Sequence, residues 1–363
     1  MIGVCGIGFG HSVREAALAS HLRSRGHDVC IITTPQREPF FSAMEFPVLA
    51  MDLPIVYARP GGLALWRSFA GTLPSLPRML HRFRQVRREL QRRNARVFIS
   101  DYEPATARLA YALDKPLILV DQQSKYRHFD FPPIGELDQA GERERLRLFF
   151  PRFAHNFILS FFPLPSHAIP SITVLAPLVP QELIAQRSIQ QGPKSLVLVY
   201  LSEHLGMVSS LGHIDLLATA FPHLEFRLYT SSEKLASNSG ATSAPNVTRS
   251  RFSRAKFLAD LPNALVLISN AGHNLISEAI AAQIPMYLIP LPTFDQHLCA
   301  SRVQSASLGL VSEAPSVTSL GTLLENADAY RRRIRDYAQN CLPQGDSLAC
   351  ITREVERQAA ECA

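Results

Sequence analysis

The chain has 363 residues, 47% of them apolar and 19% charged, with a net charge of +6. That length suits two domains, and so apolar a composition excludes an intrinsically disordered chain. The positive charge is local: residues 67–96 hold nine Arg against one Glu, which excludes a nucleic-acid-binding stripe over the whole surface and leaves one basic element.

Six cysteines (Cys5, Cys30, Cys299, Cys341, Cys350, Cys362) show no C-x-x-C or metal-ligand spacing. This usage predicts a reducing, cytoplasmic compartment. The first residues read as a strand running into a glycine loop, not as a secretory signal. The most apolar stretch, Phe149–Leu164, is interrupted by Arg152, His155, Asn156 and Pro163. It reads as a buried strand and is unsuited to spanning a bilayer.

In chain order, Ile2–Cys5 predicts a strand and Gly6–Gly10 a turn. Ser12 is a candidate N-cap for a helix that ends near Gly26. Val29–Ile32 then predicts a second strand, completing a β-α-β unit and implying a parallel sheet. An Arg-rich helix follows over about Ser75–Arg93, with Leu76, Met79, Leu80, Phe83, Val86 and Leu90 at helical spacing. Strands ending at Asp101 and Asp121 come next. Five prolines within 163–180 mark a boundary, and a second α/β series runs from Leu196 onward. Its strands end near Leu201, Tyr229, Ser269 and Ile289. Helical periodicity fills about Thr318–Ala363, broken at Pro343-Gln344-Gly345.

Gly6-x-Gly8-x-Gly10 lacks the G-x-G-x-x-G spacing, and no acidic residue ends the second strand, so a dinucleotide fingerprint is not met. Glycines such as Gly10 let backbone approach a ligand, and they set His11 at a helix mouth. The positive end of that helix disfavours a second positive charge, which suits His11 to act as a base; a capping His without chemistry is the plain alternative. In the second half, Ser269-Asn270-Ala271-Gly272-His273-Asn274 follows an apolar strand and opens a helix, a geometry suited to phosphate. Glu278 lies one turn beyond Asn274 and can accept a hydrogen bond from a ribose hydroxyl. Asp295 and Gln296 start the next helix, where a carboxylate–amide pair suits vicinal sugar hydroxyls.

These segments resemble those of GT-B fold, nucleotide-sugar-dependent glycosyltransferases over nearly all of residues 1–312. The resemblance rests on Gly8-Phe9-Gly10-His11-Ser12-Val13-Arg14, Arg25-Gly26-His27-Asp28-Val29, Asp101-Tyr102-Glu103-Pro104 and Val120-Asp121-Gln122-Gln123. In the second half it rests on Ile268–Asn274 with Ser277-Glu278-Ala279, on Pro285, and on Phe294-Asp295-Gln296. Arg251-Phe252-Ser253 with Phe257-Leu258 resembles the segment that contacts the nucleotide base.

The resemblance implies two doubly wound Rossmann-like α/β domains facing across a cleft: an acceptor-binding domain over 1–177 and a donor-binding domain over 178–345. A terminal helix, 346–363, would pack back on the first. It implies His11 as catalytic base supported by Asp101. It also implies diphosphate binding by Gly272, His273, Asn274 and Ser202, base contact by Arg251 and Phe252, ribose binding by Glu278, and donor-sugar binding by Asp295 and Gln296. Many relatives carry His where Asn270 stands. No D-x-D motif is present, so the expectation is no metal and no cofactor, with a nucleoside-diphosphate sugar such as a UDP-sugar as co-substrate.

The reaction expected is inverting transfer to an acceptor hydroxyl or amine on a small molecule, saccharide or lipid-linked compound. A GT-B nucleotide-sugar epimerase and a non-catalytic nucleotide-sugar-binding protein are the competing readings. The Arg-rich helix allows either a solvated outer face or peripheral contact at the inner face of the membrane. No motif in 37–60 or 122–139 identifies the acceptor.

Overall fold

Short runs of Val, Ile, Leu and Phe, each bounded by a polar or glycine-containing turn, form strands buried on both faces, as parallel sheets require. A computed structural model of the chain describes residues 1–6, 9–52, 58–59, 62–63, 65–165, 169–185, 195–201, 209–230 and 244–362. It divides into one unit of Met1–Leu178 with Pro343–Ala363 and a second of Val179–Leu342. The boundaries expected from the sequence are 177/178 and 345/346.

The first unit holds strands β1 (Ile2–Val4), β2 (Ile31–Thr33), β3 (Val48–Ala50), the two-residue strands β4 (Ala58–Arg59) and β5 (Gly62–Leu63), β6 (Phe98–Asp101), β7 (Leu117–Asp121), β8 (His155–Leu159) and β9 (Ile172–Leu175). Seven of them make a parallel sheet in the order β3-β2-β1-β6-β7-β8-β9, and β4 pairs antiparallel with β5. The second unit holds β10 (Leu196–Tyr200), β11 (Glu225–Thr230), β12 (Val247–Arg251), β13 (Ala264–Ser269), β14 (Met286–Leu288) and β15 (Gly309–Val311), ordered β12-β11-β10-β13-β14-β15.

In each sheet the chain first winds outward on one side and then returns to wind outward on the other. The reversal falls between β1 and β6 in the first unit and between β10 and β13 in the second. Loops after neighbouring strands diverge at such a point and leave a crevice at the carboxyl ends. His11 and Asp101 lie there in the first unit and Gly272–Asn274 in the second.

Several local expectations are corrected. The first helix runs Phe9–Ser24, so Ser12 lies inside its first turns with a buried, unbonded hydroxyl instead of capping it. Helical backbone reaches back into the glycine loop because His11 and Arg14, three residues apart, both bond Asp101 at the end of β6. The second strand begins at Ile31, two residues later than expected. In Phe149–Leu164 only His155–Leu159 is strand, because Phe149 ends the preceding helix Ala140–Phe149. The tail breaks a second time at Asn326, between helices Val317–Glu325 and Ala327–Asn340. No helix among the described residues is long and apolar enough to cross a membrane.

The last helix, Ser347–Glu361, is part of the first unit's core. Ile351 and Val355 join the cluster of Ile2, Val4, Leu18, Ile31, Ile99 and Val120, and Ser347 Oγ donates to Ala176 O at 2.9 Å. Asp346 caps this helix through Ala349 N. Ile351→Ala should therefore destabilise the first unit by about 2–5 kcal/mol through the cavity left behind. Equilibrium denaturation should show a lower midpoint at unchanged slope; an unchanged midpoint would mean that the helix adds nothing to this core.

Candidate functional site

The first unit's site is built from the helix after β1 and the carboxyl ends of β6 and β7. Asp101 ends β6, fully buried. Arg14 grips it with a two-pronged fork: Nε donates to Oδ2 at 2.8 Å, and Nη2 donates to Oδ1. His11 Nδ1 lies 2.9 Å from the same Oδ1 and 2.8 Å from Arg14 Nη2. The guanidinium hydrogen is already directed at the carboxylate, and a bare Nδ1 lone pair facing Oδ1 would be repelled. We therefore assign the tautomer in which Nδ1–H donates to Asp101 and Nε2 keeps its lone pair. Gly10 lies in the first turn of the helix beside His11.

Burial disfavours the charge of Asp101, but Arg14 and His11 outweigh it and hold the carboxyl below its usual range. The opposite happens next door. Glu15 is fully buried and neither of its oxygens has a hydrogen-bond partner. Burial and then the negative charge of Asp101 push its carboxyl well above the usual range, with Arg14 offsetting only part of this and Asp121 adding to it. Asp121, buried at the end of β7, accepts from Ser124 N at 2.6 Å and Ser124 Oγ at 2.8 Å. Burial raises its carboxyl to about 6 despite those bonds. Three carboxyl groups thus surround one guanidinium, and two of them hold protons more tightly than exposed acids do.

Next to Asp101 in the chain, Tyr102 adopts a left-handed backbone with φ 54°. Its ring stacks on His11 with centroids 6.3 Å apart and planes at 24°, and its hydroxyl donates to Glu142 Oε1 at 2.5 Å. Glu103 and Pro104 serve the architecture, since Glu103 caps helix Pro104–Ala112 by accepting from Ala105 N and Thr106 N. A Cβ on Gly3 of β1 would fall 2.0 Å from Thr106 Oγ1, so this close packing admits only glycine there.

In the second unit, helix His273–Ala282 starts at the end of β13. Gly272 is its N-cap, and no side chain caps it. The next helix, Phe294–Ser305, differs: Thr293 caps it through Gln296 N. A Cβ added at Gly272 would meet nothing within 4 Å, so the helix mouth is open where an anion would be met by backbone amides. Asn270 Nδ2 donates to Ile289 O at 2.8 Å, which ties the loop to the end of β14. Gln296 Oε1 accepts from Leu291 N at 2.8 Å, bracing its own loop, and Asp295 beside it is half-buried.

Glu278 is buried and already engaged: Arg254 donates to its two oxygens at 2.9 and 2.5 Å. Arg254 therefore holds in place the carboxylate expected to accept from ribose. This fork joins the β13 helix to the segment after β12, where Arg251 is exposed. There Phe252 packs on Tyr200 at 4.8 Å and on Phe257 at 5.8 Å between ring centroids. Ser202 and Gly8 lie outside the described residues.

Sequence reading passes over Arg14, Glu15, Tyr102 and Arg254 as participants. Arg14 and Glu15 carry a signal, since they stand three and four residues after His11 and so share its helix face. Arg254 carries none, because 24 residues separate it from Glu278.

The buried Glu15 yields a pH-dependent expectation. The folded protein holds its proton more tightly than the unfolded chain, so this group favours folding most below its unfolded value and costs stability as pH rises above it. Glu15→Gln should raise stability by an amount that grows with pH above about 4.5, at up to ~1.4 kcal/mol per pH unit. Denaturation at pH 5 and pH 8 measures this directly. An equal effect at the two values would show that Glu15 is ionised in the folded state.

Comparison with known proteins bears on the family and the fold. Residues 1–327 match the model of the family described as glycosyl transferase family 1. Among solved structures, the calicheamicin glycosyltransferase CalG4 has 18% identity and a TM-score of 0.68, covering 100% of this chain and 98% of its own. Spinosyn rhamnosyltransferase SpnG, solved with spinosyn aglycone, has 16% identity and a TM-score of 0.66, covering 98% and 99%. The Streptomyces sp. SF2575 glycosyltransferase SsfS6, complexed with thymidine diphosphate, has 16% identity and a TM-score of 0.65, with coverages of 98% and 99%. No curated protein sequence matches the chain. With a family match over nine-tenths of its length and two doubly wound units of the GT-B fold, the chain belongs to glycosyl transferase family 1.

Proposed function

We propose that this glycosyltransferase moves a sugar, with inversion and without a metal ion, from a nucleoside-diphosphate sugar to an acceptor hydroxyl or amine. In this reading His11 is the base. The observation that carries it is the Asp101–His11 pair at the reversal point of the first sheet, 2.9 Å apart with Nε2 left to accept a proton.

As the acceptor oxygen bonds to the anomeric carbon, its proton passes to His11 Nε2 and the bond to the diphosphate oxygen breaks. The imidazolium so formed is compensated by Asp101, which Arg14 keeps ionised. On the second unit, the backbone amides of His273 and Asn274 at the uncapped helix start stabilise the departing diphosphate in place of a cation. Glu278, oriented by Arg254, accepts from ribose; Phe252 and Arg251 face the base; Asp295 and Gln296 meet the donor sugar. Ser202 is assigned to the diphosphate on sequence alone. The domain roles follow: residues 1–177 for the acceptor, 178–345 for the donor. The acceptor is a small molecule, saccharide or lipid-linked compound. Six free cysteines suit an enzyme of the reducing cytoplasm.

Calorimetric titration with UDP, TDP, GDP and ADP tests the donor side. One nucleotide should bind clearly; TDP, present in the SsfS6 complex, is the first to try. Glu278→Ala should weaken that binding about tenfold or more, for a lost hydrogen bond worth on the order of 1.5 kcal/mol. If none of the four binds, the donor site is elsewhere.

The acceptor side is tested by His11→Ala. This variant should fold, keep its nucleotide affinity and lose about 10²–10⁴ in transfer rate. Near-normal turnover would remove His11 from the role of base, and 2-epimerised nucleotide sugar without acceptor transfer would favour the epimerase reading.

A further inference from the structure

The basic segment read from the sequence proves to carry an exposed apolar stripe as well. Helix Leu65–Thr72 leads through a short turn into helix Leu76–Arg92. Trp66 is 81% exposed, Phe69 54%, Leu73 49% and Leu80 47%. These are four of the nine large apolar side chains exposed among the described residues. Trp66 and Phe69 stack with ring centroids 6.0 Å apart, and Trp66, Phe69 and Leu73 recur at the three- and four-residue spacing of one helix face.

The second helix buries Val86 and Leu90. Leu80, Arg84, Arg87 and Arg88 follow one another at helical spacing on a side turned away from that pair, and all four are exposed. Other arginines of the segment are engaged: Arg78 with Asp52, Arg92 and Arg93 with Glu89, and Arg82 with Ala50 O. Arg84, Arg87 and Arg88 have no carboxylate partner among the described residues.

We propose that these two helices dock the protein on an anionic lipid surface, with Trp66, Phe69 and Leu73 entering the interface and Arg84, Arg87 and Arg88 meeting the headgroup phosphates. Charge complementarity selects this occupant. A second copy docked through the same face would bring Arg84, Arg87 and Arg88 of each chain together, which like-charge repulsion opposes. A nucleic acid would satisfy the arginines and leave the Trp66–Leu73 stripe in water. An anionic bilayer satisfies both, because tryptophan and phenylalanine settle at the level of the headgroups while arginine stays among the phosphates. The docking is peripheral, since no described helix is long and apolar enough to cross the membrane.

Trp66 is the only tryptophan in the chain, so the native protein reports on its own docking. Vesicles of phosphatidylcholine, with and without phosphatidylserine, are mixed with the full-length protein at physiological salt. The expected result is co-sedimentation with the anionic vesicles alone, a blue shift of the tryptophan emission, and release as salt is raised. Replacing Arg84, Arg87 and Arg88 together by Gln should weaken vesicle affinity about a hundredfold, at roughly a factor of five for each arginine. Phe69→Ser with Leu73→Ser keeps the reporter and should abolish the blue shift. All these side chains are exposed, so thermal melts of the variants should match the parent. Wild-type protein that stays in the supernatant overturns the proposal, as does undiminished binding by the arginine variant. A blue shift that grows with protein concentration in the absence of vesicles also overturns it, in favour of self-association.

Discussion

The buried guanidinium of Arg14 is the group on which the first unit's site depends. A cation inside a sheet-and-helix core is tolerable only with a carboxylate in bonding range, and Asp101 supplies one through both oxygens. That bond ties the first turns of helix Phe9–Ser24 to the end of β6, because His11 and Arg14, three residues apart on one helix face, both reach Asp101. It keeps Asp101 ionised against the cost of burial. With Asp101 thus charged and fixed, the imidazole has one sensible tautomer, and its remaining nitrogen is an acceptor. Arg14 offsets only part of the burial of Glu15, so that carboxyl stays well above its usual range. A single charge pairing therefore determines the position, tautomer and electrostatic surroundings of His11.

The second unit solves a different problem with the same topology. At its reversal point, a helix start without a side-chain cap stands where the first unit has a filled charge network. Helix His273–Ala282 begins without a side-chain cap and with open space at Gly272, whereas neighbouring helix starts are closed by Thr293 and Ser316. The Arg254–Glu278 fork then links the loop after β12 to the helix after β13. The two segments are held as one piece, and the carboxylate is oriented by Arg254. Such preorganisation limits the ordering cost of binding.

Much of this was legible in the sequence for reasons of periodicity and turn chemistry. Apolar runs between glycine- and proline-bearing turns were enough to specify two parallel α/β series, and the residues following strand ends marked His11, Asp101 and Gly272–Asn274. Asp101 could be paired with His11 because the resemblance assigned its role; no local signal joins positions 90 residues apart. What tertiary structure alone decided were the partnerships. The engagement of Glu278 by Arg254, the stacking of Tyr102 on His11 and the isolation of Glu15 depend on which strands become neighbours. Charge count located the basic segment, yet exposure of Trp66, Phe69 and Leu73 followed only from how the two helices pack. Hydrophobic pattern and turn residues act over a few positions, so one chain can carry them. Ionisation and hydrogen-bond partnership depend on distances across the fold, and those exist only after the sheets have assembled.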